Sequence, residues 1–154
     1  MNAKDAQQSL RILSELYKDA RPALHYATAY ELLIAVILSA QCTDERVNKV
    51  TAELFKEHNT PETMLLLSQE QLEKYIFSCG LYKSKAAHIL SATKDIVERF
   101  GGQVPESFAD LKSLAGVGQK TANVVSAVWF DKDAIAVDTH VFRVSNRLGL
   151  ADAN

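Results

Sequence analysis

Residues 30–40 constrain the fold more than any other part of the chain, because nearly every side chain in the run Y-E-L-L-I-A-V-I-L-S-A is apolar. A helix that is apolar all round is typical of a helix buried on every side. The β-branched residues of the run also permit a buried strand, but no alternating partner strand follows. The run therefore predicts a helix at the centre of a helical bundle.

The rest of the chain repeats apolar residues at helical spacing, interrupted by short turn and cap signals. Arg21-Pro22 ends the first amphipathic run, and Gly101-Gly102 followed by Pro105 ends the longest one. The isolated segment 134–137 is the one plausible strand signal, and we interpret it as an extended loop. These patterns predict an all-α bundle of about eight or nine helices. The positions predicted to face inward include Leu65, Leu66 and Val128.

Composition places the chain among ordinary globular proteins, with 47% apolar and 23% charged residues in a length of 154. No run approaches the roughly 18 apolar residues that a membrane span needs, and the polar N-terminus is unlike a secretory signal. We therefore expect a cytoplasmic protein with no membrane partner. The net charge of −2 is unusual for a nucleic-acid-binding domain, so any such surface must be local.

The two cysteines, Cys42 and Cys79, lie far apart in sequence and form no C-x-x-C pair. We interpret them as reduced thiols of a cytosolic protein, with a disulfide or a metal pair as the alternative. The sequence predicts no metal site.

The segment 114–122, L-A-G-V-G-Q-K-T-A, places two glycines around one apolar residue between two short predicted helices. Glycine accepts positive φ and lets another backbone approach closely, so Gly116 and Gly118 would expose unpaired N–H groups at a helix start. Such a terminus binds anions through its donors and its dipole. Leu114 and Val117 would turn inward and fix the turn. A tight helix–helix turn without a ligand is the alternative interpretation.

Lys120 falls in the first turn of the second of these helices, where the helix dipole favours acids over bases. The dipole, together with partial burial, would disfavour the ammonium form and favour the neutral, nucleophilic amine. Asp138, in the string A-V-D-T-H-V, is predicted to cap the last helix. His140, two residues further on, is expected to pack or form hydrogen bonds locally rather than to act as a second base.

Four strings in order resemble the endonuclease III family of helix-hairpin-helix DNA glycosylases: segments 38–48, 80–86, 114–122 and 136–141. The resemblance covers nearly the whole chain. Ala115 departs from the family's L-P-G-V-G-x-K-T-A, and loss of that proline costs about 0.5–1 kcal/mol without removing any group that phosphate binding needs.

The resemblance implies that Lys120 attacks the deoxyribose C1′ and expels a damaged base, here an oxidised pyrimidine. Asp138 would stabilise positive charge developing on the sugar and assist proton transfer. The resulting Schiff base leads to β-elimination, which cuts the strand 3′ to the abasic site. The expected substrate is therefore double-stranded DNA with damaged bases or abasic sites, bound by a monomer.

The resemblance also assigns residues to DNA binding. Gln41 would fill the space left by the flipped base, and Leu81 would wedge between bases. Asp44 and His140 are weaker candidates for the base pocket, with capping an equal explanation for Asp44. The expected backbone contacts are Lys83, Lys85, Gly116, Val117, Gly118 and Thr121.

By this resemblance, residues 22–132 form a six-helix barrel domain with the helix-hairpin-helix at 107–130. Residues 1–21 and 133–154 form part of a second helical domain. Family members continue with further helices and a C-x6-C-x2-C-x5-C loop that binds a 4Fe-4S cluster. The two cysteines here cannot supply that loop, so we expect no cofactor in this chain, whether it is truncated or naturally short. The apolar face of residues 10–16, which those helices would cover, is then expected to be exposed.

Two other functions stay open at this point. One is a related glycosylase with a different base preference, which sequence patterns do not distinguish. The other is a non-catalytic helix-hairpin-helix module, or a crippled enzyme, in which Lys120 merely contacts a phosphate. A nearby carboxylate such as Asp138 would repel the DNA backbone, so the pair favours an enzyme over a binding module.

Overall fold

A computed structural model describes residues 2–19 and 23–152, and these ranges contain nine α-helices and no strand. The prediction of an all-α bundle is confirmed, and segment 134–137 is an extended loop as expected. The helices are α1 (Ala3–Leu16), α2 (Ala29–Ser39), α3 (Asp44–Leu54), α4 (Pro61–Met64), α5 (Gln69–Ile76), α6 (Tyr82–Phe100), α7 (Phe108–Ser113), α8 (Gln119–Val128) and α9 (Thr139–Arg147).

The chain divides into two compact units, residues 23–135 and residues 1–22 together with 136–154. The first unit holds α2 to α8, and the second holds α1 and α9. The predicted boundary at residues 21 and 22 lies outside the described residues. The first unit contains seven helices, of which α4 is a single turn that Thr60 caps, with Pro61 at its first position.

Helix α2 is the centre of the larger unit, as the all-round apolar run predicted. Its residues from Tyr30 to Leu38 are all buried, and the helix packs against α3, α6 and α8. Thr28 and Glu31 form a capping box that fixes where the helix begins. The buried hydroxyl of Tyr30 lies 2.8 Å from Thr93 Oγ1 on α6, so the one tyrosine of this helix has a polar partner.

Three apolar positions were predicted wrongly to face inward. Leu65 and Leu66 are exposed because α4 is only one turn long, and Met64 occupies the core position instead. Val128 is also exposed, since it is the last residue of α8, whose buried residues are Ala122, Val125 and Ser126.

The smaller unit has no buried residue in either of its helices. On α1 the side chains of Leu10 and Leu16 are 55% and 69% exposed, in line with the exposed face that was expected there. No helix in residues 2–19 or 23–152 combines the length and the apolar character that crossing a membrane requires.

Candidate nucleic-acid interface

Helices α7 and α8 form a hairpin around the turn at residues 114–118. Ser107 caps α7 by accepting a hydrogen bond from Asp110 N. Leu114 and Val117 are buried, so both apolar residues of the turn anchor it to the core as expected. A buried Val117 can contribute to DNA binding only through its backbone. The turn therefore keeps Leu114 and Val117 inside and leaves Gly116 and Gly118 on the surface.

The two glycines of the turn differ in why they are needed. Gly116 has φ +75°, and a Cβ there would lie 2.8 Å from His88 Cβ on α6. Gly118 is extended, at φ −89° and ψ −173°, and a Cβ there would meet nothing within 4 Å. The fold requires glycine at 116, whereas at 118 only an approaching ligand would require it.

We expect Gly116→Ala to lower the free energy of unfolding by about 2–3 kcal/mol, because it combines a left-handed backbone with a steric clash. Gly118→Ala should change stability by less than about 0.5 kcal/mol. Urea unfolding of both variants against wild type measures the difference. Equal losses at the two positions would contradict the assignment of the strained turn to Gly116.

Helices α6 and α8 stand apart from the other described helices in how they begin. Each of the other helices has an N-cap side chain that accepts a backbone hydrogen bond, whereas Leu81 and Gly118, the N-cap residues of α6 and α8, provide none. A helix start without a side-chain cap leaves first-turn N–H groups available to an external anion. Both starts coincide with segments that were predicted to contact DNA.

Lys120 is the second residue of α8 and is exposed, while Thr121 beside it is half-buried. The expected partial burial of Lys120 is not present, because the buried face of the helix is formed by Ala122, Val125 and Ser126. The ammonium group therefore stands on the surface at the start of a helix that no side chain caps.

Asp138 caps α9, as the sequence predicted. Its Oδ1 accepts hydrogen bonds from His140 N at 3.0 Å and from Val141 N at 2.8 Å. His140 is exposed, and its Nδ1 lies 3.9 Å from Asp138 Oδ2, so its observed contacts are the local ones that were expected. Asp138 belongs to the smaller unit and Lys120 to the larger one.

Gln41 and Leu81, the two residues predicted to enter the DNA, share an uncommon backbone conformation. Their φ angles are +53° and +58°, and both side chains are exposed. Non-glycine residues at positive φ store roughly 1–3 kcal/mol of strain each and concentrate at functional sites. Their loops also touch, since a Cβ at Gly80 would lie 3.1 Å from Gln41 O. The structure thus places these two predicted residues on adjoining strained loops.

Two further candidates occupy the surface of the same unit. Thr43 caps α3 by accepting a hydrogen bond from Arg46 N. The capping role that was considered for Asp44 therefore belongs to Thr43. Asp44 lies in the first turn of α3 and is exposed. Lys83 lies in the first turn of α6 and is exposed.

Lys85 is buried, contrary to the exposed position that the predicted backbone contact requires. Only 4% of its surface is exposed, and its Nζ donates hydrogen bonds to Leu38 O at 2.8 Å and Ala40 O at 2.5 Å. These carbonyls end α2, where the negative end of the helix dipole favours a cation. Burial lowers the pKa of Lys85, and the nearby Cys79 and Cys42 oppose that shift. Its ammonium group holds the C-terminus of α2 and the start of the Gln41 loop in place.

The cysteines of the chain do not fit the four-cysteine iron–sulfur cluster of the resembled family. The chain has only Cys42 and Cys79, and Cys79 lies in the hydrophobic core. The described residues contain no group of three or more histidine, cysteine or acidic side chains arranged to hold a metal ion.

Comparison with known proteins gives consistent matches. The model of the HhH-GPD superfamily of base excision DNA repair proteins matches residues 34–154. The endonuclease III of Buchnera aphidicola subsp. Acyrthosiphon pisum (strain APS) is 47% identical over 98% of this chain and 72% of its own length. That of Bacillus subtilis (strain 168) is 46% identical over 97% and 68%. A solved structure of a trapped endonuclease III–DNA covalent intermediate, an estranged-adenine complex, matches with a TM-score of 0.92 and 44% identity, over 99% of this chain and 71% of that one.

Proposed function

This chain belongs to the HhH-GPD superfamily of base excision DNA repair proteins and is a DNA glycosylase with AP lyase activity, and we propose that Lys120 is its nucleophile. The observation that carries the proposal is the exposed Lys120 amine at the uncapped start of α8, directly after the rigid glycine turn. The same helix start can bind a DNA phosphate through its N–H groups, which would bring the sugar to the amine. A trapped covalent intermediate between DNA and a similar enzyme supports a nucleophilic route.

The proposed reaction begins when Lys120 Nζ gives up a proton and attacks C1′ of the damaged nucleotide, and the C1′–N bond to the base breaks. The departing base takes a proton, and opening of the sugar ring gives a Schiff base between C1′ and Nζ. Loss of a C2′ proton then expels the 3′ phosphate by β-elimination. Water finally hydrolyses the Schiff base and releases Lys120.

Asp138 is the proposed partner carboxylate in this reaction. Its hydrogen bonds to His140 N and Val141 N fix the carboxylate at the start of α9. A carboxylate held in this way stabilises positive charge developing on the sugar and can relay protons during the later steps. We assign His140 no chemical role beyond this local structure.

The strained loops are proposed to hold the DNA open while the base is outside the stack. Gln41 would fill the vacated space and form hydrogen bonds to the remaining strand, while Leu81 would enter between adjacent bases. Lys83 and the N–H groups of the hairpin turn, including those of Gly116, Val117, Gly118 and Thr121, would hold the phosphates. Asp44 is a weaker candidate for the wall of the base pocket.

We expect Leu81→Ala to lower the rate of base excision by about tenfold or more, because the smaller side chain cannot hold the gap open. Since Leu81 is 61% exposed, stability should change by less than about 0.5 kcal/mol. Leu66→Ala is the matched control, because Leu66 is 76% exposed and belongs to the segment between α4 and α5, outside the hairpin and both loops. Single-turnover excision with the two variants shows whether the effect is specific to Leu81 or follows from the loss of any exposed leucine. Equal excision rates in the two variants would contradict the role of Leu81 as a wedge between bases.

Oxidised pyrimidines are the proposed substrates, and this preference has a direct test. Excision is measured on duplexes that are identical except for one residue, which is thymine glycol, 3-methyladenine, a mismatched thymine or an abasic site. The proposal expects excision of thymine glycol and cleavage at the abasic site. Excision of another base with no activity on thymine glycol would indicate a related glycosylase of different preference, and binding without any cleavage would indicate a non-catalytic module.

The partner of this protein is DNA. We infer that the protein acts as a monomer on damaged or abasic duplex DNA in the cytoplasm. The net charge of −2 means that binding must depend on local features rather than on overall attraction. The hairpin turn, Lys83 and Lys120 would provide these local features.

A further inference from the structure

Cys42 and Cys79 meet beneath the two strained loops, although they are far apart in sequence. Cys42 follows Gln41, and Cys79 precedes Gly80. Cys79 is buried in the core, and half-buried Cys42 packs against the same core. The two backbones approach closely beside the cysteines, since a Cβ at Gly80 would lie 3.1 Å from Gln41 O. Cys42 is also near enough to raise the pKa of the Cys79 thiol. The fold has therefore brought together the two segments that carry the sulfhydryl groups of the chain.

We propose that Cys42 and Cys79 form a site of reversible oxidation, at which a hydroperoxide converts the two thiols into a disulfide that joins the loops. This modification site is separate from the glycosylase chemistry and uses none of its residues. The sequence left a disulfide open as the alternative for these two cysteines.

The exposure of the two thiols sets the order of events. Cys42 is partly exposed and accessible to a peroxide, whereas Cys79 is shielded by the core. Burial, followed by the hydrogen bond to Cys42, raises the pKa of the Cys79 thiol to about 11, so Cys79 is protonated at neutral pH. Because Cys79 is protonated and shielded whereas Cys42 is accessible, the first oxidation falls on Cys42.

The chemistry balances in two steps. Cys42 sulfur attacks the hydroperoxide, the O–O bond breaks, and the products are a Cys42 sulfenic acid and an alcohol, or water when the oxidant is hydrogen peroxide. Cys79 sulfur then attacks the sulfenic sulfur. The S–O bond breaks as the S–S bond forms, and the departing hydroxide takes the Cys79 proton and leaves as water. The two thiols are oxidised by two electrons, and one hydroperoxide is reduced.

Two cations near the sulfurs assist the second step. The buried ammonium of Lys85 and the guanidinium of Arg46 both favour the thiolate of Cys79, against the larger effect of burial. Lys85 also holds Ala40 O, which lies two residues before Cys42, and so keeps the Cys42 turn against the core. The two cations place positive charge near Cys79 sulfur. The hydrogen bond from Lys85 to Ala40 O holds the Cys42 turn in position for the attack.

The test uses the full chain and hydrogen peroxide as the probe. After oxidation the protein is unfolded in the presence of N-ethylmaleimide, which labels every remaining thiol, and its intact mass is measured. The expected product is a monomer without label whose mass is lower by two hydrogen atoms and which recovers both thiols after dithiothreitol. Cys42→Ala should keep its single thiol, because Cys79 alone is shielded, whereas Cys79→Ala should accumulate sulfenic or higher oxides on Cys42.

Two outcomes would overturn the proposal. One is a wild-type protein in which Cys79 still takes the label while Cys42 carries only added oxygen. The other is a cross-linked dimer through Cys42 as the main oxidised species. Neither readout requires the protein to cleave DNA, so failure of the glycosylase proposal and failure of this one can be told apart.

A functional consequence follows from the position of the disulfide, and it rests on the proposed roles of Gln41 and Leu81. The S–S bond would draw together the loops on which both residues stand. We expect excision by the oxidised protein to fall several-fold and to recover with dithiothreitol, with no change in Cys42→Ala treated in the same way. A rate that stays constant while the disulfide forms would contradict control of the loops by the bond.

Discussion

Lys120→Ala is expected to lower the rate of strand cleavage at an abasic site by at least about 1,000-fold, because no other group at the start of α8 can form the Schiff base. Lys120 is exposed, so the variant should fold with wild-type stability. Single-turnover cleavage of a duplex with one abasic site measures the effect. Binding of the same duplex should weaken far less than cleavage, since the N–H groups of the helix start are unchanged.

The matched control is Lys112→Ala, which removes an exposed cation from α7 of the same hairpin. If Lys120 acted only through its charge, the two variants would lose similar amounts of binding and of cleavage. We expect Lys112→Ala to retain cleavage within a few-fold and to alter mainly the salt dependence of binding. Equal loss of cleavage in the two variants would assign Lys120 to phosphate binding and would favour the binding-module interpretation.

Lys85→Met is expected to lower the free energy of unfolding by about 2–4 kcal/mol. Methionine fills similar space, but it leaves the carbonyls of Leu38 and Ala40 without their buried donor, and unmade buried hydrogen bonds cost about 1–3 kcal/mol each. Urea unfolding measures the loss. Excision should also fall, because Ala40, which directly precedes Gln41, loses its hydrogen bond from Lys85.

The control for Lys85 is Lys83→Met, which lies two residues earlier in the same helix and is exposed. Its stability should stay within about 0.5 kcal/mol of wild type, while its affinity for DNA should fall. Substitution of Lys85 is thus expected to affect stability, and substitution of Lys83 is expected to affect DNA binding. A Lys85→Met protein as stable as wild type would show that the α2 carbonyls do not need the ammonium group, as occurs where buried charges are replaced by apolar groups.

The sequence was sufficient to predict the central helix and the hairpin turn, because both depend on local, repeated physical rules. An all-round apolar run can be stable only in a core, which is where α2 lies. The turn needs glycine at a left-handed position, and Gly116 adopts φ +75°. Capping side chains such as Ser107 and Asp138 were also predictable, since each satisfies donors within three residues along the chain.

The role of Lys85 was missed although the sequence carried a signal for it. Lys85 shares one helical face with Ile89, Ala92 and Ile96, all of which are buried. The motif with two lysines suggested two phosphate contacts, whereas the helical phase separates an inward Lys85 from an outward Lys83. Its partners could not have been predicted from spacing alone, because Leu38 and Ala40 reach it only through the packing of α2 against α6.

The strained loops and the cysteine pair depend on contacts that local sequence does not encode. Gln41 and Leu81 are not residues that favour positive φ, so their conformation is imposed by the packing around them. The approach of the Cys42 and Cys79 segments arises in the same way, from two turns brought together by the fold. Neither the helical repeat nor any motif within either segment predicts it.

Borohydride trapping on a duplex with a single abasic site tests the central claim most directly. Borohydride reduces a Schiff base to a stable amine, so the proposed chemistry predicts a covalent protein–DNA adduct whose attachment maps to the peptide containing Lys120 and which is absent in Lys120→Ala. A wild-type protein that binds the duplex but forms no adduct, or an adduct attached at another lysine, would contradict Lys120 as the nucleophile.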